Sequence, residues 1–288
     1  MSRGCLAFAP LLAAGFTIDY RGHAGAILEA DYPEAIEDIA AVLAEMRIPI
    51  AEIIEGGGGE APITARLRRG FNQRHWLQRR IAVERRVDGE SRQSRTWTIG
   101  FLRRFAPSGT GAGAIALEVE WNNKDSFFDR DLESFRRLHA EGFISLGVIV
   151  TRGPSLGQAG MRALVRRLLE ERGIDTVEDM RRWGYEPTPR QREEILRRMS
   201  RARDPLGGRE ALAEVFAGDK FGEATTHWRK LGDRIAHGLG QPCPLLLIGV
   251  PDSVVTFAAG EVLPEPSDPP DATLTADADP RQIDLFGV

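Results

Sequence analysis

Between Ala114 and Glu120 the chain alternates strictly: Ile115, Leu117 and Val119 fall on one side of a predicted strand, Ala116, Glu118 and Glu120 on the other. The period of two places both carboxylates on one face, roughly 6–7 Å apart along the strand. Pro33–Met46 instead carries Ile36, Ile39, Ala40, Leu43 and Met46 at helical spacing. Gly56–Gly59 then reads as a flexible linker, and Pro62 suits the first residue of a helix running to Phe71. Residues 77–87 and 94–104 predict two strands joined at the Asp88-Gly89 turn; with 114–120 they make a mainly antiparallel start to a sheet. Asp129 caps or opens an amphipathic helix carrying Leu132, Phe135 and Leu138 and ending near Gly142. Ile144–Val150 is wholly apolar, as in a sheet centre, and Leu245–Val250 is a last buried strand. Between them lie a helix over 159–172 and an arginine-rich helical stretch to about residue 203.

Helices and strands mix without a strict βα repeat. The expected fold is α/β: a single domain over residues 1–260 with a central mixed sheet flanked by helices. From Glu261 the chain turns rich in Pro, Asp and Ala with little apolar content, which cannot repay the entropy of ordering. Residues 261–280 are therefore expected to be disordered, within an acidic tail spanning 261–288.

Charge changes the picture once it is resolved along the chain. Of the 288 residues, 1–60 hold ten acids against three arginines and 261–288 hold seven against one, so the net −4 leaves residues 61–260 at +9. A basic body suits a polyanion partner; solvated arginine-rich helices are the plain alternative. Cys5 and Cys243 make neither a disulfide framework nor a zinc site. Leu6–Phe16 has the length of a signal-peptide core, but the single preceding Arg3 and the internal Pro10 argue against one. No segment offers the roughly 18 apolar residues that cross a membrane, so a cytoplasmic location is expected.

Two acids on one strand face repel and desolvate each other unless a cation sits between them, so Glu118 and Glu120 suggest a hard-metal site. An edge strand with a solvated acidic face is the bland alternative. The sequence that follows, with Trp121, Asn122, Asn123, Lys124 and then Asp129-Arg130-Asp131, is unusual for such an edge.

Glu118-Val119-Glu120-Trp121-Asn122-Asn123-Lys124-Asp125, followed by Phe128-Asp129-Arg130-Asp131-Leu132, resembles the signature of the BamHI/BglII group of type II restriction endonucleases. The likeness continues through Ile144–Arg152 and Lys220–Trp228 and spans about residues 35–257. It implies a PD-(D/E)xK-type nuclease fold, a Mg2+ cofactor, and cleavage of double-stranded DNA at a short palindrome by a homodimer. By this resemblance Glu118 and Glu120 bind metal, Glu120 also occupies the water-activating position, and Glu84 is an additional catalytic carboxylate. The resemblance also implies an aspartate on the neighbouring strand, where this chain reads Arg95-Thr96-Trp97-Thr98-Ile99-Gly100-Phe101, with glycine in the aspartate slot. Three explanations stay open. Asp88, Glu90 or Asp125 takes the place; the aspartate is lost and the protein is a catalytically impaired DNA-binding homologue; or Glu118, Glu120 and Glu84 suffice.

Candidate DNA contacts are Asn122, Asn123 and Lys124 beyond the strand, Arg152 at the end of the apolar strand, and Lys220, Thr225, Thr226 and Lys230 in a later basic segment. The asparagines could equally end the strand with local hydrogen bonds. At the C-terminus, Gln282-Ile283-Asp284-Leu285-Phe286 resembles the peptide by which bacterial polymerases and repair proteins dock on the replication sliding clamp. Gln282, Leu285 and Phe286 would be its anchors. A tail that docks on its own domain is the alternative.

Overall fold

The structure, a computed structural model, describes residues 7–54, 61–105, 113–182 and 187–257. Its first elements are α1 (Ala9–Ala13), β1 (Thr17–Arg21), α2 (Ala24–Asp31) and α3 (Pro33–Ala44). They are followed by β2 (Ile48–Pro49), α4 (Ile50–Ile54) and α5 (Pro62–Asn72). The centre holds β3 (Leu77–Val87), β4 (Glu90–Arg104), β5 (Ala114–Glu120), α6 (Phe127–Ala140) and β6 (Leu146–Arg152). Beyond these come α7 (Gln158–Glu171), α8 (Val177–Arg182), α9 (Pro189–Met199), α10 (Gly208–Phe221), α11 (Trp228–Ala236), β7 (Leu245–Val250) and β8 (Val255–Thr256).

Six strands form one mixed sheet in the order β1-β7-β6-β5-β4-β3, while β2 and β8 pair by themselves. β5, β6 and β7 run parallel. The flanking pairs β1/β7, β4/β5 and β3/β4 are antiparallel. Parallel strands need cover on both faces, and their sequences comply: every residue of β6 and β7 is buried. One face packs Ile115, Leu117, Val148 and Val150 with Ile36, Ile39 and Leu43 of α3, Leu67 of α5, Val165 of α7 and Phe216 of α10. The other packs Ala114, Ala116, Ile149 and Leu247 against Phe128, Leu132, Phe135 and Leu138 of α6 and Leu231 of α11.

The hairpin of β3 and β4 turns at Asp88 and Gly89 with φ of 53° and 79°, the left-handed pair that suits the twist of a tight hairpin. Only Phe101–Arg104 of β4 also pairs with β5. The rest of β4 has β3 as its only strand partner among the described residues, so the hairpin continues past the sheet as a two-stranded ribbon.

The fold matches the expected class, and its differences from the expected elements have local causes. β1, a short edge strand of mixed polarity, carries too little periodic signal to be predicted. Ser126, not Asp129, precedes the first turn of α6. The arginine-rich stretch splits into α8 and α9, the latter opened by a capping box between Thr188 and Gln191. The Gly56–Gly59 linker, the boundary at residue 260 and the acidic tail lie outside the described residues. Among those residues no helix is long and apolar enough to cross a membrane.

Candidate active site

β5 turns Glu118 and Glu120 towards the sheet face that α6 covers. On α6 the buried stripe runs Phe128, Leu132, Phe135, Leu138, and Asp131 falls on it, three residues after Phe128 and four before Phe135. Packing that stripe against β5 therefore delivers a third carboxylate. Glu118, Glu120 and Asp131 each present an oxygen within 4.8 Å of the other two, and they are only 7%, 2% and 2% exposed. Asp131 was not among the predicted site residues. The signal for it was in the sequence: a carboxylate at a core position of an amphipathic helix must face a partner.

Few groups offset this charge. The Gly100 N–H donates to Glu118 Oε1 at 2.9 Å, and Asn123 Nδ2 donates to Glu120 Oε2 at 2.6 Å. Arg130, stacked over the Phe127 ring, reaches Asp131 Oδ1 at 2.8 Å and Glu120 Oε1 at 3.4 Å. Among the described residues Asp131 Oδ2 is buried without a hydrogen-bond partner. Burial pushes the Glu118 carboxyl up to about 8, with Asp131 adding to it. Burial and Asp131 likewise push Glu120 up to about 9. Burial also raises Asp131, against the lowering by Arg130. Three clustered carboxylates, one with an orphaned oxygen, are the donor set a hard divalent cation takes.

These shifts set a pH dependence for the metal-free protein. A carboxyl raised by folding stabilises the fold fully below its unfolded range near 4.5, and that stabilisation is lost as pH rises through 8 and 9. Melting in a chelator should therefore fall in temperature between about pH 6 and pH 9.5, and a divalent cation should restore most of the loss at the alkaline end. A chelated protein equally stable across this range would contradict the buried, protonated cluster.

Gly100 is not an empty slot. A Cβ there would stand 2.5 Å from Glu118 Oε2, so the missing side chain is what lets Glu118 lie against the backbone of β4. Glu84 is brought nowhere near the cluster. It pairs across the ribbon with Ser94, six residues from Gly100 and therefore about 20 Å along β4, and its carboxylate meets Arg86. Asp88 and Glu90 lie at the far turn of the same ribbon, and Asp125 binds Lys230 and Arg234 at 3.4 Å. None of these acids belongs to the cluster.

The residues expected to contact DNA divide sharply. Asn123 and Lys124 are exposed just beyond β5, while Asn122 is half-buried with its side-chain oxygen unpartnered among the described residues. Lys230 is half-buried and engaged by Asp125. Arg152 is a correction. It is 0% exposed, and its guanidinium donates to the carbonyls of Trp121, Leu156 and Thr226 and to Thr225 Oγ1. A basic residue at a strand end reads as a surface group, but here it is the internal tie of the loops. Thr226 is buried, its N–H donating to the Asn123 carbonyl and its Oγ1 accepting from the Asn123 N–H. With Thr225 bridged to Lys124, this segment clips onto the residues after Glu120. Lys220 donates to the Ile53 carbonyl at 2.7 Å and so ties α10 to α4 rather than standing free for phosphate.

A mixed α/β sheet holding a buried three-carboxylate cluster at the end of a parallel strand defines a class: an α/β fold with an acidic centre that could hold a metal ion. The chain belongs to the restriction endonuclease BglII/BglIII family, whose model matches residues 16–250. The match begins at Phe16 and so takes in β1, earlier than the likeness seen in the sequence. Membership supports a restriction-type endonuclease and implies DNA binding. No curated protein matches the chain.

Proposed function

We propose that this chain is a Mg2+-dependent type II endonuclease, acting as a homodimer in the cytoplasm to hydrolyse both strands of DNA at a short palindrome. The observation that carries this reading is the buried cluster of Glu118, Glu120 and Asp131. Glu118, Asp131 and one oxygen of Glu120 would hold the cation, which when bound supplies Lewis-acid polarisation of the phosphoryl oxygen and an acidified water. Asn123 keeps Glu120 aimed by its 2.6 Å hydrogen bond, leaving Glu120 placed to accept the proton of an attacking water. Arg130, half-exposed beside the acids, offers positive charge to the phosphate. Asn122, Asn123 and Lys124 lie directly after the strand and are the best placed of the expected residues to meet DNA.

Digestion of methylation-free plasmid DNA tests this. Discrete fragments should form with Mg2+ and none after chelation. A smear, or fragments that persist in chelator, would refute it. The second reading, a DNA-binding homologue impaired in catalysis, is motivated by Gly100; it requires tight duplex binding with no cutting in any divalent metal.

The body over 1–260 carries this activity, and the tail 261–288 is read as a tether whose Gln282, Leu285 and Phe286 engage a bacterial sliding clamp. Phe286→Ala should lower clamp affinity at least tenfold in a binding titration, leaving DNA cleavage unchanged. Equal clamp binding by both forms would remove the tether.

A further inference from the structure

Away from the acidic centre, a cavity of about 610 Å³ opens between the starts of α7 and α11. Both helices begin uncapped: neither Gly157 nor His227, their N-cap residues, supplies a side-chain hydrogen bond. The first-turn N–H groups of Gln158, Ala159 and Gly160, and of Trp228, Arg229 and Lys230, have no intrahelical acceptors, and the helix dipoles add positive potential. Gly160 is a requirement of this shape, because a Cβ there would stand 1.7 Å from the Ser155 carbonyl oxygen and force the turn at Pro154–Leu156 away from the helix.

An independent observation comes from a side chain. His227 lines the cavity, is 4% exposed, and its Nε2 has no hydrogen-bond partner among the described residues. Burial, with Arg152 and Lys230 next, pushes this imidazole down to about 4, so it stays neutral in positive surroundings. The acids on the cavity wall are already engaged, Glu223 by Arg229 and Glu214 by Arg198. Arg162, exposed on the same wall, has no partner among the described residues.

We propose that this cavity is an anion site that takes a phosphate group, supplied in the working protein by the backbone of a bound duplex. The backbone source rests on the nuclease reading; the anion site does not. Its place in the fold favours that source. β6 and β7 run parallel to β5, so the loops after them share an end of the sheet with Glu120. His227 also follows directly on Thr226, which is hydrogen-bonded to Asn123, the residue that aims Glu120. A phosphate held at the start of α11 would thus be read out at the acidic centre through one short segment.

The test uses the full-length, metal-free protein labelled with 15N-histidine, with His227→Gln to assign the His227 signal. Inorganic phosphate should shift that signal saturably, and Arg162→Glu, a change at an exposed residue, should weaken the response at least tenfold. An uncleaved duplex should abolish the phosphate response, and Arg162→Glu should lower the salt slope of duplex binding by about one. Saturation by phosphate without competition from duplex would keep the anion site and overturn the backbone source. A non-saturating shift, or one indifferent to Arg162→Glu, would overturn the site. Failure of plasmid cleavage alongside saturable phosphate binding would remove the nuclease reading and leave the site standing.

Discussion

Asp131→Ala should abolish cleavage, lowering the single-turnover rate by roughly 10²–10³-fold, the loss expected when about 3–4 kcal/mol of metal-borne charge stabilisation is removed. Glu118→Ala should do the same, since both carboxylates face the same space within 4.8 Å. Duplex binding without metal should hold, because burial keeps the Glu118 carboxyl protonated at neutral pH and raises Asp131 as well, so neither change alters the charge presented to DNA by much. Isothermal titration with Mn2+ gives a second readout: the divalent cation should bind wild type and fail to bind either variant at comparable concentrations. Gly100→Asp should neither improve wild type nor rescue Asp131→Ala, because its side chain would displace Glu118 from a 2.9 Å hydrogen bond to the Gly100 N–H. Cutting that rises when Gly100→Asp is introduced would mean that the third carboxylate belongs on β4, and that Asp131 is only a buried acid. Cutting that first appears with that change would establish the impaired-homologue reading.

Arg152→Ala should destabilise the fold by about 3–5 kcal/mol, because several buried acceptors lose their donor at roughly 1–3 kcal/mol apiece. Three carbonyls and the Thr225 hydroxyl would lose their donor, at distances now between 2.6 and 3.0 Å, and the Phe221 ring would lose the guanidinium 5.2 Å from its centre. Burial lowers the Arg152 guanidinium only to about 10, so it remains charged at neutral pH. Arg152→Lys should recover little, because an ammonium cannot span the same acceptors with a planar fork. Urea unfolding measures the loss. Wild-type stability combined with weakened DNA binding would instead make Arg152 a contact to nucleic acid, as its position at a strand end first suggested.

Asp131 and Arg152 mark where local sequence pattern stops fixing a side chain's surroundings. β5 was legible because its alternation is unbroken over seven residues, and the β3–β4 hairpin because Asp88-Gly89 is a turn with a known backbone demand. Both are local facts. The third carboxylate depends on α6 packing over β5, which no local pattern states, although Asp131 stands at helical spacing from the apolar Phe128 and Phe135. Arg152 was misread because its acceptors are backbone carbonyls drawn from residues 121, 156 and 226, and carbonyls leave no trace in residue identity. Glu84 was expected at the site by resemblance; the register of the ribbon, set by its turn, carries it away.

A two-stranded ribbon that leaves its sheet presents hydrogen-bonding groups along both edges, and such edges invite strand addition from another chain and, from there, aggregation. Arg79, Arg80, Arg86 and Arg95 are all exposed on it. Two ribbons approaching edge to edge would bring these exposed arginines together, with Arg86 already paired to Glu84, and their excess positive charge opposes self-pairing. The protection is electrostatic, and it weakens as salt shortens the screening length to about 3 Å at 1 M. Raising the salt should therefore weaken this repulsion between ribbons.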